Sequence, residues 1–306
     1  MAKYFFFPGQ GSQAIGMGKA LCEASSEAMN RVNEANDLLG FDLKKMMFEG
    51  PEDDLKKTEN TQPALFVVSA IVYEAFVRAG FGKADFAAGH SLGEYSALSA
   101  AGAFDFATGV KLVRKRGELM SKAKAGAMSA VMGCDRAVIE RVCSEISTAD
   151  SVVVPANFNG PDQIVISGNA EAVAKAGEAI KAAGAKRVLP LAVSGAFHSP
   201  LMKDAAEEMR AVLAAAAITD AKIPVIANVT AAPVTSAAEI RELLVKQLYS
   251  PVRFVESFAS AAAGTGVEMG SGKVVCGLIK KINANINMVS AHTPEEIQAA
   301  CAVLGA

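Results

Sequence analysis

The chain has 306 residues, 51% apolar and 20% charged, with 30 Lys and Arg against 32 Asp and Glu for a net charge of −2. That length suggests one large domain carrying a smaller one, and the balanced charge offers no basic field for nucleic acid. The longest apolar runs, such as Pro63 to Phe76 with Glu74 inside it, fall short of a bilayer span, so a soluble protein is expected.

The apolar burst Tyr4-Phe5-Phe6-Phe7 stops at Pro8-Gly9-Gln10-Gly11; it is too short for a signal h-region, lacks a cleavage site, and reads as a first buried strand. Pro51 to Asp54 marks a helix start, with proline in the first turn and acids at the positive end of the dipole. Thr61 to Ala79 then predicts a long, mostly buried helix. Phe86 to Gly89 repeats the strand-and-turn device, followed by helical sequence from Leu92 to Ala101. This alternation is that of an α/β domain.

The pattern changes from Ala127 to Ala196. Strands are expected over Ala127–Cys134, Val152–Ala156, Gln163–Ser167 and Arg187–Val193, with helices over Arg136–Ile146 and Ala170–Ala183. The order βαββαβ is ferredoxin-like and self-contained, so residues 127–196 read as an inserted subdomain. Further strands over Pro224–Ala227, Val267–Met269 and Ile286–Val289 return to the first pattern. The large domain is therefore expected to be discontinuous, over 1–126 and 197–306. The lack of a long amphipathic seam favours a monomer.

Five scattered cysteines, Cys22, Cys134, Cys143, Cys276 and Cys301, include no C-x-x-C pair, which argues against a disulfide framework and a zinc site and for a cytoplasmic location.

The chemistry centres on Gly89-His90-Ser91-Leu92-Gly93, the one G-x-S-x-G of the chain. A strand before it and a helix after it make the elbow that holds a serine nucleophile exposed on a sharp turn, across which side chains at 89 and 93 would collide. A plain turn with a surface serine would look the same locally. The serine needs a base, and the chain has three histidines. His90 points away around the elbow and takes a packing or orienting role. His198 lies where the chain leaves the small subdomain and His292 near the C-terminus; spacing favours His198, while a late histidine also fits α/β-hydrolase order, leaving a hydrolase using Ser91 and His292 open. The second glycine-rich turn, at Gln10, suits an oxyanion hole. No phosphate-binding loop is present; Val267 to Val274 lacks its first glycine and final hydroxyl.

Together with these elements, Phe7-Pro8-Gly9-Gln10-Gly11-Ser12-Gln13, Gly89 to Tyr95, Arg116-Gly117, Asn157-Phe158-Asn159 and Gln247-Leu248-Tyr249-Ser250-Pro251-Val252 resemble the malonyl-CoA:acyl carrier protein transacylase family, in order, from about residue 4 to 290. The resemblance implies an α/β-hydrolase-like large domain with a ferredoxin-like small one. It makes His198 the base and Gln247 the residue whose carbonyl orients it. Gln10 and the Leu92 N–H become the oxyanion hole, Arg116 the clamp for the malonyl carboxylate, and Asn157 and His90 lie on the substrate side. Arg114 or Lys115 is the alternative inward-facing cation of that helix. The implied reaction is ping-pong, through a malonyl-Ser91 ester, with malonyl-CoA and acyl carrier protein as partners and no metal or cofactor. An acidic carrier would dock at Lys186, Arg187, Lys280 and Lys281, which otherwise read as solvated faces. Gly195-Ala196-Phe197-His198 resembles the form that polyketide acyltransferases use for malonyl units. Gly270-Ser271-Gly272-Lys273 departs from the family by lacking a proline at its second position, and is taken to be remote from the motif residues.

Overall fold

The computed structural model describes residues 1–122, 126–193 and 195–305. Of the expected spans, residues 123–125 and 306 of the large domain and Ser194 of the small one lie outside the described residues. The strands, in chain order, are β1 (Ala2–Phe7), β2 (Phe86–Gly89), β3 (Ala127–Met132), β4 (Val153–Gly160), β5 (Gln163–Gly168), β6 (Arg187–Pro190), β7 (Val225–Ile226), β8 (Pro233–Val234), β9 (Gly264–Met269) and β10 (Ile286–Ala291). They form a six-stranded sheet of order β10-β9-β1-β2-β7-β8 and a four-stranded sheet of order β4-β5-β3-β6.

In the large sheet every pairing is parallel except the short edge pair β7–β8. Parallel sheets need cover on both faces, and β1 supplies apolar residues to both. Phe5 and Phe7 join the core with Leu65, Val68 and Ile71 on one side, whereas Tyr4 and Phe6 join Phe254, Phe258, Val275 and Ile279 on the other. Phe6 is wholly buried, a contribution of about 2–3 kcal/mol from its side chain. The small sheet is antiparallel throughout, and its β4-β5-β3-β6 order is that of the ferredoxin-like βαββαβ unit. Helices Arg136–Ile146 and Ala170–Ala182 cover one face through Ile139, Val142, Val173 and Ile180. Met128, Ala130 and Val165 on the other face turn toward the large sheet.

The element order follows the expected one, with boundary differences that have causes. The long helix spans Thr58–Arg78, and the last small-sheet strand ends at Pro190, followed by one further bond to β3, from Leu191 N–H to Met128 O at 2.9 Å. β4 runs to Gly160 rather than Ala156 because it gains a second partner: Phe158 N–H donates to Val252 O, and Val252 N–H to Ala156 O, each at 2.9 Å. This ties the small sheet to the large one. β7 lies within the strand expected over Pro224–Ala227, whereas its partner β8, only two residues long, was not expected. Among the described residues no helix is long and apolar enough to cross a membrane.

The Ser91 turn sits at the carboxyl end of β2, beside the central strand, where open α/β sheets place their ligands. Helix Gly93–Ala100 begins almost on top of β1: a Cβ at Gly93 would lie 2.1 Å from Phe7 O, and one at Gly89 would lie 1.9 Å from Gly93 C. Gly93→Ala is expected to destabilise the fold by about 3 kcal/mol or more, read from urea unfolding monitored by circular dichroism. A loss below about 1 kcal/mol would show that the helix can lift off β1 freely.

Candidate active site

Ser91 has a φ of 51° and His198 a φ of 57°, the left-handed region that non-glycine residues seldom occupy and that concentrates at functional sites. Ser91 Oγ lies 2.8 Å from His198 Nε2, and His198 Nδ1 lies 2.7 Å from the backbone oxygen of Gln247. A carbonyl only accepts, so Nδ1 carries the proton and the Nε2 lone pair faces Oγ. His198 N–H also donates to Leu248 O at 3.0 Å, so the segment after helix Ala237–Gln247 holds both ring and backbone. Burial, reinforced by the Arg116 charge, pushes the His198 pKa down to about 3. The ring is therefore neutral at ordinary pH, the form a general base requires.

Arg116 is the inward-facing cation of helix Phe106–Lys122; it is fully buried. Arg114 instead pairs with Glu118 at 2.7 Å, part-buried on the outer side, and Lys115 is half-buried. Arg116 Nη2 donates to Ser91 Oγ at 3.1 Å and to Gln247 Oε1 at 2.9 Å, its guanidinium lies 5.4 Å from the Tyr95 ring centre, and its Nε–H has no hydrogen-bond partner among the described residues. A buried guanidinium whose close acceptors are neutral is costly unless an anion joins it.

Two polar residues behind the serine escaped the sequence reading. Asn228, just after β7, accepts from Ser91 N–H at 2.8 Å and donates to Gly89 O at 2.8 Å, bracing the strained turn from below. Glu94, in the first turn of the helix after Ser91, accepts from Gln247 Nε2 at 2.7 Å and from Asn228 N–H at 3.1 Å. Their one sequence signal is polarity: Asn228 follows an apolar strand, and Glu94 stands in a helix whose neighbours are apolar.

Gln10 and Leu92 both line the pocket around Ser91. The Gln10 side chain is turned to Thr58 Oγ1, 3.2 Å away, so what it offers an oxyanion is its backbone N–H. Among the described residues neither that N–H nor the Leu92 N–H donates elsewhere. His90 Nε2 meets Asn159 Oδ1 at 2.7 Å, and its ring packs on Phe254. This is the packing role expected of it, now across the two sheets, and His90 and Asn157 also line the pocket. The pocket holds about 140 Å³ and is walled by Met120, Met128, Val165, Leu191, Val193 and Phe197. It adjoins a cleft of about 430 Å³ between the sheets, bordered by Gly9, Ser12, Gln163, Val274 and Lys281.

Two expectations are corrected. His292 follows β10, three interstrand steps or about 14 Å from the end of β2, and its Nδ1 lies 2.6 Å from Glu296 Oε2; it does not serve Ser91. The Gly270 to Lys273 segment, taken as remote, lies against the glycine-rich turn at Gln10: Gly270 abuts Pro8, Gly272 abuts Ser12, and Lys273 borders the cleft. The basic pairs share one end of the small sheet. Lys281 Nζ is 3.2 Å from Asp162 Oδ2, next to Gln163, and Arg187 pairs across β3 with Met132, itself paired with Gln163.

An acyl transferase domain model matches residues 4–275. A malonyl CoA-acyl carrier protein transacylase of Bacillus subtilis (strain 168) is 48% identical over 306 residues, 98% of this chain and 96% of that protein. An acyl-carrier-protein S-malonyltransferase structure from Bartonella henselae superimposes with a TM-score of 0.95 at 42% identity, covering 100% of both chains. A malonyl-transacylase solved in complex with a type II PKS acyl-carrier protein gives a TM-score of 0.95 at 40% identity, over 99% of this chain and 100% of that one.

Because burial lowers the His198 pKa, its neutral form persists well below pH 6.5 and is lost only as pH falls toward about 3. Inactivation of Ser91 by a neutral sulfonyl fluoride should therefore show no acid limb near 6.5 between pH 7.5 and 5. A limb centred there would mean that the ring titrates as in water.

Proposed function

We propose, for a chain that belongs to the malonyl CoA-acyl carrier protein transacylases of the acyl transferase family, that Ser91 carries a malonyl group from coenzyme A to the phosphopantetheine thiol of acyl carrier protein. The observation that carries the substrate assignment is the buried Arg116, which reaches the nucleophile with one nitrogen and keeps donors unspent. An acyl group bonded to Oγ with a carboxylate one carbon beyond its carbonyl places that carboxylate within reach of the guanidinium. Such a planar donor suits two-point carboxylate binding. The small pocket, with Phe197 and Met128 in its wall, leaves little room for substituents on that carbon.

The geometry supports the following roles. His198 Nε2 takes the Ser91 proton as Oγ attacks the thioester carbon, and the Gln10 and Leu92 amides receive the oxyanion. Collapse breaks the C–S bond, and the proton on His198 passes to the departing coenzyme A sulfur. The carrier thiol then gives its proton to His198, attacks the malonyl-serine ester, and the proton returns to Oγ. Gln247 O holds the imidazole in the required tautomer where a hydrolase would use an acid. No metal or cofactor has a part in these steps. His90 and Asn157 shape the substrate side of the pocket.

We assign residues 1–126 and 197–306 to a catalytic domain and 127–196 to an inserted domain that closes the cleft from above. The enzyme is placed in the cytoplasm, in keeping with five free cysteines. The basic groups at the end of the small sheet, Lys186, Arg187, Lys280 and Lys281, form the dock for an acidic carrier.

Three substitutions test the chemistry. Ser91→Ala should form no acyl-enzyme with labelled malonyl-CoA. His198→Ala should lower the acylation rate by roughly 10³-fold, and retention of near wild-type acylation would remove His198 from its role. Arg116→Ala should lower the preference for malonyl- over acetyl-CoA by roughly 10²-fold or more; an intact preference would place the carboxylate elsewhere.

Charge reversal at Lys186 and Arg187 should raise KM for the carrier about tenfold while leaving malonyl transfer to a small thiol unaltered. An unchanged KM would move the dock to another face.

A further inference from the structure

One buried carboxylate beside the reacting atoms has no part in the steps above. Glu94 is 1% exposed, and its Oε2 accepts from the Gln247 side-chain amide and the Asn228 N–H. The other end of the same amide, Gln247 Oε1, accepts from Arg116 Nη2. The sense of this amide is dictated by its surroundings. Its nitrogen faces three acceptors, Ser91 O at 2.9 Å, Glu94 Oε2 at 2.7 Å and Asn228 Oδ1 at 3.4 Å. A flipped amide would set oxygen against oxygen and NH₂ against the guanidinium. Carboxylate and guanidinium are thus joined end to end through one polarised group, where burial strengthens their interaction well beyond its value in water.

We propose that Glu94 is the resident counter-ion of Arg116, connected to it through the Gln247 amide, and that Glu94 takes up a proton when a malonyl carboxylate arrives at Arg116. The inference rests on Arg116 as the carboxylate clamp. Its driving force is charge balance. Arg116 and ionised Glu94 sum to zero in the free site, and a second buried anion would leave the site with a net negative charge, which burial opposes. A proton from solvent restores zero. Acetyl groups bring no charge and leave Glu94 ionised.

The surroundings of Glu94 permit this. The titratable groups that face it are Arg116 from helix Phe106–Lys122, Tyr95 on its own helix and His198 across Ser91. Burial keeps Tyr95 protonated and His198 neutral, so Arg116 is the one full charge of this set. Burial also pushes the Glu94 carboxyl up to about 7, against the pull of Gln247, Asn228 and Arg116. Part of that pull is withdrawn once Arg116 is shared with a substrate carboxylate.

The probe is monomethyl malonate, which carries a single carboxylate that stays ionised throughout, titrated calorimetrically into wild type, Glu94→Gln and Arg116→Ala. In wild type the affinity should weaken as pH rises from 6 to 8.5, because Glu94 must then be protonated at a growing cost. Binding at pH 7 to 8 should take up about half a proton or more, read from the dependence of the heat on buffer ionisation. Glu94→Gln should bind with no proton uptake and no such pH dependence, roughly tenfold more tightly than wild type at pH 8.5. Wild-type binding without proton uptake would overturn the proposal even if the variant failed to fold, as would a Glu94→Gln affinity at pH 8.5 equal to or weaker than wild type. A residue with a merely structural part would weaken binding or leave it alone, never tighten it. Unchanged affinity in Arg116→Ala would instead overturn the clamp on which the inference rests.

Discussion

The charge on Arg116 is the constraint around which the rest of the site is arranged. A guanidinium does not shed its proton, so burying it obliges the fold to surround it with acceptors. The neighbours do this in graded fashion: the Gln247 amide oxygen, the serine oxygen and the Tyr95 ring are neutral and close, and the carboxylate of Glu94 stands one amide further back. A carboxylate in direct contact would complete the ion pair and leave nothing for a substrate. The relayed arrangement keeps the charge tolerable while the position beside Ser91 stays available to an incoming anion. The same charge helps to keep His198 neutral, so in the proposed roles the cation that would receive the substrate also preserves the base.

Backbone strain is the second constraint, and the same polar residues bear it. Ser91 and His198 both hold positive φ, a cost of order 1–3 kcal/mol each that persists only where surroundings impose it. At Ser91 the imposition is by contact and by hydrogen bonding. The helix after the turn is seated on Phe7 O, and Asn228 together with the Gln247 side chain grips the Ser91 N–H and C=O. At His198 it comes from the segment after helix Ala237–Gln247, which takes the backbone N–H at Leu248 and the ring at Gln247. Gln247 therefore holds Ser91, His198 and Arg116 at once, its backbone serving His198 and its side chain the other two.

What could be read beforehand follows from how local each cause is. The elbow was legible because the steric demand on Gly89 arises within five residues, although that on Gly93 comes from Phe7 O on β1, and the βαββαβ unit because its periodicities are carried by short segments. His198 against His292 was not decided by spacing, since the answer lies in sheet order: β10 is an edge strand separated from β2 by β9 and β1, which no count along the chain reveals. Glu94 and Asn228 were missed because a first-turn acid and a post-strand asparagine are common at exposed helix and turn positions; only their burial on Gln247 and Ser91 distinguishes them. The extension of β4 through two asparagines was missed for a related reason. Asparagine disfavours strands, and here Asn157 is carried by the pairing with Val252 while Asn159 is held by His90.

The tie between β4 and Val252 also bears on why one cleft serves a donor and an acceptor in turn. Coenzyme A and the carrier protein present the same phosphopantetheine arm ending in sulfur, and differ in what lies at its far end. A passage between two sheets pinned together at Ala156–Asn159 fits a constant arm, since its walls need not adjust between half-reactions. Its bordering residues suit a shared arm, because Gly9 and Val274 offer little for side-chain recognition, and Gln10 and His90 already have internal partners. Discrimination is thereby pushed to the two ends. In the proposed assignment, Arg116 and a pocket of about 140 Å³ read the acyl group at the inner end, and the basic groups near Gln163 meet the carrier of the arm at the outer end. An acyl-enzyme buried at the bottom of such a passage is shielded from bulk water, with Ser91 only 9% exposed. The shielding favours transfer to a thiol that arrives on an arm over hydrolysis.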